Sequence, residues 1–361
     1  MASPDIPSTH SALTFTRRGN PLEVLTITHD YPTPRASTLR VGEALIKVSA
    51  VAMNAGVLLG VTLFPHLTSN PWIPDMEFAG TIVAKGPTAK EDTDGLRVGD
   101  EVIGVRDGPS FIKYNGAMQS YLVSNVRLLI RKPKTISMID ASGLSGVGCT
   151  ALQAFELAGV KRGDKVLVTG GSGGLGSMCV QMARAVVGES GTVVATCSSK
   201  NEEFVKSLGA DETIDYKVHD PLHKYLKEHH SSTPFNAIFD IAGSPNELFT
   251  SSPFYLTKRG VFVLLGGISV LVSLSWFSLL YWVLQAQVNR FLPSFLGGTP
   301  RRSLFYSASP NRTDMKRVCE MVETGKVRPV IDSVWKFEDV KMAYERAMSQ
   351  RARGKIVVDF E

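Results

Sequence analysis

The chain has 361 residues, 43% of them hydrophobic and 20% charged, which is enough for two folded domains with their own cores. The formal net charge of +5 is mild and no run of Lys and Arg is interleaved with aromatic residues, so the sequence argues against a nucleic-acid-binding protein. The four cysteines are scattered and form no C-x-x-C pair, which favours a reducing compartment over a disulfide framework or a structural zinc site.

The first part of the chain, to about residue 125, is β-rich. Its start, MASPDIPSTHSALTF, has no basic segment followed by an apolar core, so we expect no signal peptide and a cytoplasmic protein. The segments EALIKVSAVAM, FAGTIVAKG and VGDEVIGV are short and apolar, and GAMQSYLV alternates as a half-buried strand does. Short strands separated by glycine-rich turns predict a barrel-like β domain.

The middle of the chain alternates buried strands with helices. DKVLVTG is a continuous apolar run, typical of a strand that is buried on both faces, and SMCVQMARAVV follows it with helical spacing. NEEFVKSLGA predicts a helix with Asn201 as its N-cap. Five further strands are predicted in TVVATCS, ETIDY, FNAIFDIAG, GVFVLLGG and RSLFYSA. This alternation predicts an α/β domain with a doubly wound parallel sheet, after which the last part of the chain returns to the first domain.

A glycine loop, Gly171-x-Gly173-x-x-Gly176, directly follows the strand DKVLVTG and directly opens the next helix. A lone G-x-G-x-x-G is weak evidence, but this strand-loop-helix context is the one that dinucleotide binding requires. The N–H groups at such a helix start bind phosphate. We therefore predict that the loop contacts a dinucleotide, together with its other residues Ser172, Gly174 and Leu175.

The end of the second strand of this domain predicts which dinucleotide binds. An NAD site usually has an acidic residue there, whereas this chain continues with Ser198, Ser199 and Lys200. Two hydroxyl groups and one cation suit a 2′-phosphate, so we predict NADPH. Tyr216, at the end of ETIDY, could stack or hydrogen-bond near the same phosphate. The alternatives are that Lys200 is a solvated loop lysine and that Tyr216 only ends a strand.

Several blocks of the chain resemble the medium-chain dehydrogenase/reductase superfamily, in its order. They are PWIPDMEFAGTIVAKG, LRVGDEVIGV, GVGCTALQAF, VLVTGGSGGLGSMCVQMAR, SLGADETIDY and ARGKIVV. The resemblance is greatest to the zinc-free quinone oxidoreductase and enone reductase branch, including chloroplast-envelope quinone oxidoreductase homologues and related fungal enzymes. It implies a GroES-like catalytic domain over 1–126, a Rossmann domain that binds NADPH over 127–309, and a return to the catalytic domain over 310–361.

The resemblance also implies the positions of zinc ligands in zinc-dependent members. These members carry a Cys soon after the strand that ends near residue 50 and a His-Glu pair near residue 76. This chain has Met53, Asn54 and Met76 at those places, and only Glu77 remains. A catalytic zinc needs three N, S or O ligands, so we expect a zinc-independent enzyme. We predict an NADPH-dependent reductase that transfers hydride to an activated alkene or quinone with a bulky apolar body.

The same resemblance implies roles for individual residues. Asn54 is implied as the donor to the substrate oxygen, with a plain turn residue as the alternative. Thr150 is implied beside the nicotinamide, with a helix hydroxyl that bonds its own backbone as the alternative. The remaining implied cofactor contacts are Ala242, Gly266, Gly267 and Lys355, the last one at the cofactor phosphates.

A long apolar stretch, Val261–Asn289, contains no Asp, Glu, Lys or Arg. Its length would allow a membrane span, but strands of one sheet are predicted on both sides of it, which argues against a span. We predict a helix over 273–288. The segment 268–299 could line an apolar substrate pocket, form a homodimer interface, or lie on a membrane surface as a peripheral contact.

Two other functions remain open at this point. One is a trans-acting enoyl reductase, which would share the hydride chemistry but act on a dedicated biosynthetic substrate. The other is a non-catalytic protein that binds NADPH at a membrane surface.

Overall fold

The computed structural model describes residues 6–63, 70–88, 95–106, 115–266, 284, 288, 292, 294–306 and 309–361. The chain divides into two compact units. Unit 1 comprises Met1–Thr150, Ser309–Gly325 and Pro329–Glu361, and unit 2 comprises Ala151–Ala308 and Lys326–Arg328. The domain boundaries near residues 126 and 309 stay predictions. Gly267 and, apart from residues 284 and 288, the predicted helix 273–288 lie outside the described residues.

Unit 1 contains a two-stranded and a seven-stranded sheet. The smaller sheet pairs β1 (Thr9–Thr14) with β2 (Thr26–Pro32). The larger sheet contains β3 (Glu43–Ala52), β4 (Glu77–Lys85), β5 (Glu101–Val105), β6 (Tyr121–Asn125), β7 (Leu129–Arg131), β14 (Ile331–Lys336) and β15 (Lys355–Asp359). Its order is β14-β15-β3-β4-β5-β7, and β6 pairs with β3. The C-terminal strand β15 therefore lies beside β3, in antiparallel register.

Short helices surround these sheets. They are α1 (Pro21–Val24), α2 (Ala55–Thr62), α3 (Met138–Ala141), α9 (Arg312–Glu323) and α10 (Val340–Met348), with 3-10 turns at Ala36–Thr38, Val126–Leu128 and Phe337–Asp339. Helix α4 (Leu144–Ala158) begins in unit 1 and ends in unit 2. The core of unit 1 packs residues of α10 such as Tyr344 together with strand residues such as Phe78 and Ile82.

Unit 2 contains a six-stranded parallel sheet, as the alternating sequence pattern predicts. Its strands are β8 (Lys165–Val168), β9 (Thr192–Cys197), β10 (Glu212–Asp215), β11 (Phe235–Asp240), β12 (Leu256–Leu264) and β13 (Arg302–Phe305), in the order β10-β9-β8-β11-β12-β13. Every pairing between them is parallel. This is the doubly wound order of a dinucleotide-binding sheet, in which the strand order reverses between β8 and β11.

The helices that connect these strands are α5 (Gly174–Val187), α6 (Glu202–Ser207), α7 (Leu222–His230) and α8 (Glu247–Thr250), with 3-10 turns at Ser199–Asn201, Ser252–Phe254 and Ser294–Leu296. The central strands β8 and β9 are almost wholly buried, which explains their continuous apolar sequences. All four cysteines of the chain are buried and unpaired. Within the described residues, no helix combines the length and the apolar composition that crossing a membrane requires.

The turn from β8 into α5 depends on two glycines. Gly170 has a φ of +66°, a backbone conformation that glycine adopts without strain. A Cβ atom on Gly176 would lie 1.9 Å from the carbonyl oxygen of Gly170, so the helix can pack this closely on the strand end only with glycine there. Gly173 differs, because a Cβ atom there would meet only the Gly170 oxygen, at 3.7 Å.

Replacing Gly176 with Ala should therefore destabilise the protein much more than replacing Gly173 with Ala. We expect Gly176→Ala to lower the free energy of unfolding by about 2 kcal/mol or more, the cost of forced overpacking. We expect Gly173→Ala to lower it by only about 0.5–1 kcal/mol, because Ala is a poorer N-cap residue than Gly. Urea unfolding followed by circular dichroism measures both values. Equal stability of the two variants would contradict this account of the turn.

Candidate active site

The carboxyl ends of the parallel strands bring most of the predicted cofactor contacts to one edge of the sheet. The glycine loop follows β8, Ser198–Lys200 follow β9, Tyr216 follows β10, Ala242 follows β11 and Gly266 follows β12. These five strands are consecutive neighbours in the sheet. The carboxyl edge of a doubly wound sheet is where ligands bind. The structure thus groups these predicted residues, which are up to 95 positions apart in sequence, at the expected edge.

Thr196 holds the glycine loop against the end of β9. The N–H of Gly170 donates to Thr196 Oγ1 (3.0 Å), and the N–H of Gly171 donates to the carbonyl oxygen of Thr196 (2.8 Å). Ser172 is held by a second contact, because Asn201 Nδ2 donates to its Oγ (3.1 Å). Asn201 is the N-cap residue of the following helix, as predicted, but its side chain makes no capping bond and instead reaches back to the loop.

The start of α5 has the features of an anion site. Gly173 is the N-cap residue and offers no side-chain acceptor, and the first bond of the helix is donated by the Ser177 N–H to the Gly173 carbonyl (2.8 Å). The N–H groups of the first turn, Gly174 to Gly176, therefore have no acceptor within the helix. Free N–H groups at a helix start, with no Cβ over them at Gly173, fit the pyrophosphate of a dinucleotide.

The groups after β9 are open to solvent, as a contact with a ligand phosphate requires. Ser198 is half-buried, while Ser199 and Lys200 are exposed. Within the described residues, Lys200 forms no ion pair. Asp215, the last residue of the neighbouring strand β10, accepts the N–H groups of Ser199 (2.8 Å) and Lys217 (2.8 Å) with its two carboxyl oxygens. These hydrogen bonds, that of Lys217 first, lower the pKa of Asp215.

A buried carboxylate that sequence reasoning missed connects β8 to β11. Thr169 Oγ1 donates to Asp240 Oδ1 (2.6 Å), and the N–H and Oγ of Ser244 donate to the same carboxyl group at 2.9 Å each. Burial raises the pKa of Asp240, and these hydrogen bonds oppose that shift. Thr169 Oγ1 also accepts the N–H of Ala242 (3.1 Å). The backbone at Ala242 is thereby fixed by the adjacent strand.

Unit 1 contains a buried lysine whose three donors are all in use. Lys355, the first residue of β15, is 6% exposed. Its ammonium lies 2.7 Å from the carbonyl oxygen of Met53, 2.8 Å from Asn54 Oδ1 and 3.3 Å from Glu77 Oε1. The sequence predicts a contact between Lys355 and the cofactor phosphates, and that contact would require the ammonium to leave these oxygens.

Glu77 is the centre of the same network. It is 1% exposed, and its Oε1 accepts from Asn54 Nδ2 (2.7 Å) as well as from Lys355. Its Oε2 accepts the N–H of Gly146 (2.7 Å), the third residue of α4. A carboxylate at a helix N-terminus is favoured by the helix dipole and by the free N–H groups there. Removing one partner of such a buried ion pair typically costs about 3–5 kcal/mol.

Thr150 lies one helical turn beyond Gly146. Its Oγ1 donates to the carbonyl oxygen of Gly146 (2.7 Å), which is the backbone-bonded alternative raised from the sequence. The hydroxyl oxygen can still accept a hydrogen bond. The structure thus joins Asn54, Thr150 and Lys355, three predicted site residues, through Glu77 and the first turn of α4.

Asp75 supports Asn54 from a third direction. It is 2% exposed and has a φ of +65°, a conformation that non-glycine residues rarely adopt. Its Oδ2 accepts from Tyr344 Oη (2.5 Å), and its Oδ1 accepts the N–H of Asn54 (3.4 Å). Burial raises the pKa of Asp75 to about 6, against the effects of the bonds from Tyr344 and Asn54 and of the Lys355 charge.

Asp75, Glu77, Lys355 and Asp240 share a signal that is visible in the sequence. Each charged residue lies in an otherwise apolar segment, IPDMEFAG, ARGKIVV or FDIAG. A charge in a buried strand needs a partner of opposite charge or a hydrogen-bond partner. The charged residues of these segments were therefore candidates for buried pairs. The sequence gives no sign of which charges pair, because the contacts span up to 278 residues.

Replacing Asp75 with Asn should change how stability depends on pH. The carboxyl pKa is about 6 when folded and about 3.9 when unfolded. The folded protein therefore binds this proton more tightly. The contribution of Asp75 is fully present below about pH 4 and is lost as the pH rises through 6. We expect the unfolding free energy of wild type minus that of Asp75→Asn to fall by about 2–3 kcal/mol from pH 4 to pH 7.

Urea unfolding at stepped pH measures this difference. Asn suits the site because it tolerates a positive φ. If the unfolding free energy of wild type minus that of Asp75→Asn rises with pH, the fold stabilises Asp75 as a carboxylate. That result would contradict the raised pKa of Asp75.

Two family models match the chain. One, described as alcohol dehydrogenase GroES-like domain, matches residues 40–134, and the other, described as zinc-binding dehydrogenase, matches residues 208–358. The chain is 36% identical to the trans-enoyl reductase poxH of Penicillium oxalicum, over 97% of this chain and 98% of that protein. It is 28% identical to the chloroplast envelope quinone oxidoreductase homolog of Arabidopsis thaliana, over 91% of each.

A solved structure shows the same fold. The quinone oxidoreductase from Coxiella burnetii superimposes with a TM-score of 0.75 at 25% identity, over 97% of this chain and 99% of that chain. The GroES-like match includes β3 and β4, and the three residues that accept from Lys355 lie at the end of β3 and the start of β4. The sheet of unit 2 has the doubly wound order. The chain belongs to the medium-chain dehydrogenase/reductase superfamily, in its quinone oxidoreductase and enone reductase branch, and is an oxidoreductase.

Proposed function

We propose that this protein is an NADPH-dependent reductase of activated alkenes that works without a catalytic metal. The observation that carries the proposal is the contact of the Lys355 ammonium with Asn54 and Glu77 in unit 1. In this position the protein has a fixed cation and an amide donor, which can stabilise negative charge on an oxygen atom.

The name of one family model implies a zinc ion, but the donor set does not fit one. Met53 and Met76 stand where the resemblance puts Cys and His, and zinc in proteins is bound by Cys, His, Asp and Glu. Both carboxylate oxygens of Glu77 are engaged by N–H donors. Among the residues that the structure describes, no three His, Cys, Asp or Glu side chains come together as a metal site. These observations support zinc-independent chemistry, and no reaction step is assigned to a metal.

The cofactor preference follows from the groups at the end of β9. The Lys200 ammonium is exposed and not engaged in an ion pair within the described residues, and the hydroxyl groups of Ser198 and Ser199 lie beside it in sequence. Asp215, the acid of the neighbouring strand, already accepts two backbone N–H groups. A cation and hydroxyl donors favour a ligand with a 2′-phosphate. Tyr216 is 48% exposed at the same edge and completes this proposed site.

In the proposed reaction the protein stabilises a developing enolate. Bound NADPH would supply a hydride to the β-carbon of an α,β-unsaturated carbonyl compound. The alkene electron pair then moves toward the carbonyl, and the charge gathers on oxygen. Asn54 Nδ2–H is proposed to donate to this oxygen. Solvent then protonates the α-carbon, which gives the saturated carbonyl product. A quinone would likewise take one hydride from the cofactor and one proton from solvent, which gives the hydroquinone.

Two substrate classes share this chemistry. One is a free enone, enal or quinone with an apolar body. The second is an enoyl thioester on a carrier, as expected of a trans-acting enoyl reductase. The identity of 36% to a trans-enoyl reductase over 97% of the chain favours testing the second class alongside the first.

The first experiment follows NADPH oxidation by absorbance against alkenals, enones, quinones and enoyl-pantetheine thioesters. NADH is run in parallel, and the protein is first dialysed against a metal chelator. We expect turnover with NADPH that dialysis does not reduce. Turnover of thioesters alone would identify the dedicated enoyl reductase. NADPH binding with no turnover of either class would leave the non-catalytic alternative, and a rate that is lost on dialysis and restored by zinc would overturn the metal-free mechanism.

Replacing Lys200 with Ala should weaken binding of NADPH but not of NADH. Loss of a charge-assisted contact to the 2′-phosphate typically costs about 1.5–3 kcal/mol, so the Kd for NADPH should rise about tenfold to a hundredfold. Lys258→Ala is the matched control, because Lys258 is exposed in the first part of β12, at the opposite edge of the sheet. Fluorescence titration measures both constants. An equal effect on NADPH and NADH would contradict the assignment of Lys200 to the 2′-phosphate.

A further inference from the structure

The side-chain amide of Asn54 has only one orientation that its neighbours allow. Lys355 Nζ, 2.8 Å from one end of the amide, is a donor only, so that end must be the oxygen. Glu77 Oε1, 2.7 Å from the other end, belongs to a carboxylate that accepts, so that end must be the NH₂ group. Two opposite charges thus fix the direction of the Asn54 dipole.

One N–H of this amide remains for a ligand. The first N–H of Nδ2 donates to Glu77. Among the residues that the structure describes, the second has only the carbonyl oxygen of Ala52, at 3.5 Å, which is at the limit of a hydrogen bond. Asn54 is half-buried, whereas Lys355 and Glu77 are 6% and 1% exposed. Of these three residues, Asn54 is therefore the one that keeps a partly exposed surface.

Lys355 itself cannot serve as the donor to a ligand while these contacts persist. An ammonium has three N–H bonds, and all three are matched by the oxygens of Met53, Asn54 and Glu77. Its positive charge nevertheless lies directly against the amide oxygen. In a buried site this charge draws electron density from Nδ2 and makes its N–H groups stronger donors.

The surrounding backbone is shaped to admit this ion pair. A Cβ atom on Gly146 would lie 2.4 Å from Cδ of Glu77, and one on Gly143 would lie 3.0 Å from Cε of Lys355. The two glycines that begin the α4 segment thus leave the space that both charged side chains occupy. A buried ion pair is a weak source of stability compared with apolar residues of equal volume, so its presence points to a role beyond packing.

We propose that Lys355 and Glu77 are positioning residues, which together orient the Asn54 amide toward the substrate oxygen, and that the Lys355 charge on the amide oxygen strengthens the free N–H as a donor. This inference rests on the proposed function, because it assigns these two residues to the same alkene reduction. Loss of either residue should therefore lower kcat, because charge develops on the substrate oxygen during turnover, and should leave cofactor binding unchanged.

The experiment combines Lys355→Met, Asn54→Ala and the double variant, with kcat and KM measured on the best substrate of the panel. We expect Lys355→Met to lower kcat about tenfold to a hundredfold, as loss of a supporting partner does, with KM for NADPH unchanged. If Lys355 acts through Asn54, the double variant should be no slower than Asn54→Ala alone. Multiplied losses in the double variant would overturn the inference.

Lys336→Met is the matched control. Lys336 lies in β14 of the same sheet and pairs with Asp359 at 2.8 Å, but it is exposed. Its replacement should leave kcat unchanged. Urea unfolding of each variant in parallel separates folded but slow variants from unfolded ones. If Lys355→Met does not fold, Glu77→Gln together with Lys355→Met, which removes both charges, takes its place with the same expected loss in kcat.

A second readout separates failure of the inference from failure of the proposed function. In protein labelled with ¹⁵N at Asn, the Asn54 side-chain resonances report the bonds of Nδ2 without turnover. If wild type reduces no panel substrate, the proposed function fails. A Lys355→Met shift of these resonances, with faster exchange of the amide protons, would still support the positioning by Lys355. Unchanged resonances would overturn it.

Discussion

The buried ammonium of Lys355 is the constraint on which the site in unit 1 depends. A charged group removed from water must find partners, and these partners come from the end of β3 and the start of β4. Strand β15 can therefore lie beside β3 only in the register that brings Lys355 to Met53 and Asn54. The same requirement explains the first turn of α4, where an N–H meets the other oxygen of Glu77 and glycine leaves room for it.

The two units use polar groups in opposite ways. Among the described residues of unit 1, the donors and acceptors around Lys355 satisfy one another, and a single N–H of Asn54 is left with a poor partner. In the described part of unit 2, the N–H groups at the start of α5 and the Lys200 ammonium have no partner, while hydroxyls such as those of Thr169 and Thr196 hold the backbone behind them. A saturated network gives a fixed orientation, and an open one gives room for an anion. The first suits a reacting atom that needs exact placement, and the second suits a large cofactor held by its phosphates.

The sequence predicted the fold well because the signals of the fold are local. Continuous apolar runs identified the strands of the parallel sheet, and the glycine loop placed the turn from β8 to α5. Local reasoning placed Asn201 correctly at a helix N-cap, but it did not predict that the side chain donates to Ser172 of another turn instead of capping the helix. It also missed the pairing of Lys355 with Glu77, since 278 residues separate them and only the register of β15, β3 and β4 brings them together. The residues of the site were thus partly visible, but the contacts that orient them were not.

The site in unit 1 has an ammonium group, that of Lys355, as its positive charge, and an ammonium differs from a metal ion in the reactions it can support. A metal ion with an open coordination position can bind an alkoxide directly and exchange it for product. All three N–H bonds of the Lys355 ammonium donate to protein oxygens. Its charge can therefore affect a substrate only indirectly, by polarising the amide of Asn54. In the proposed function, a hydrogen bond from that amide stabilises the charge that grows on the carbonyl oxygen during hydride addition. Under the proposed function, this arrangement therefore serves the reduction of a conjugated alkene, in which the oxygen gathers charge as the hydride adds.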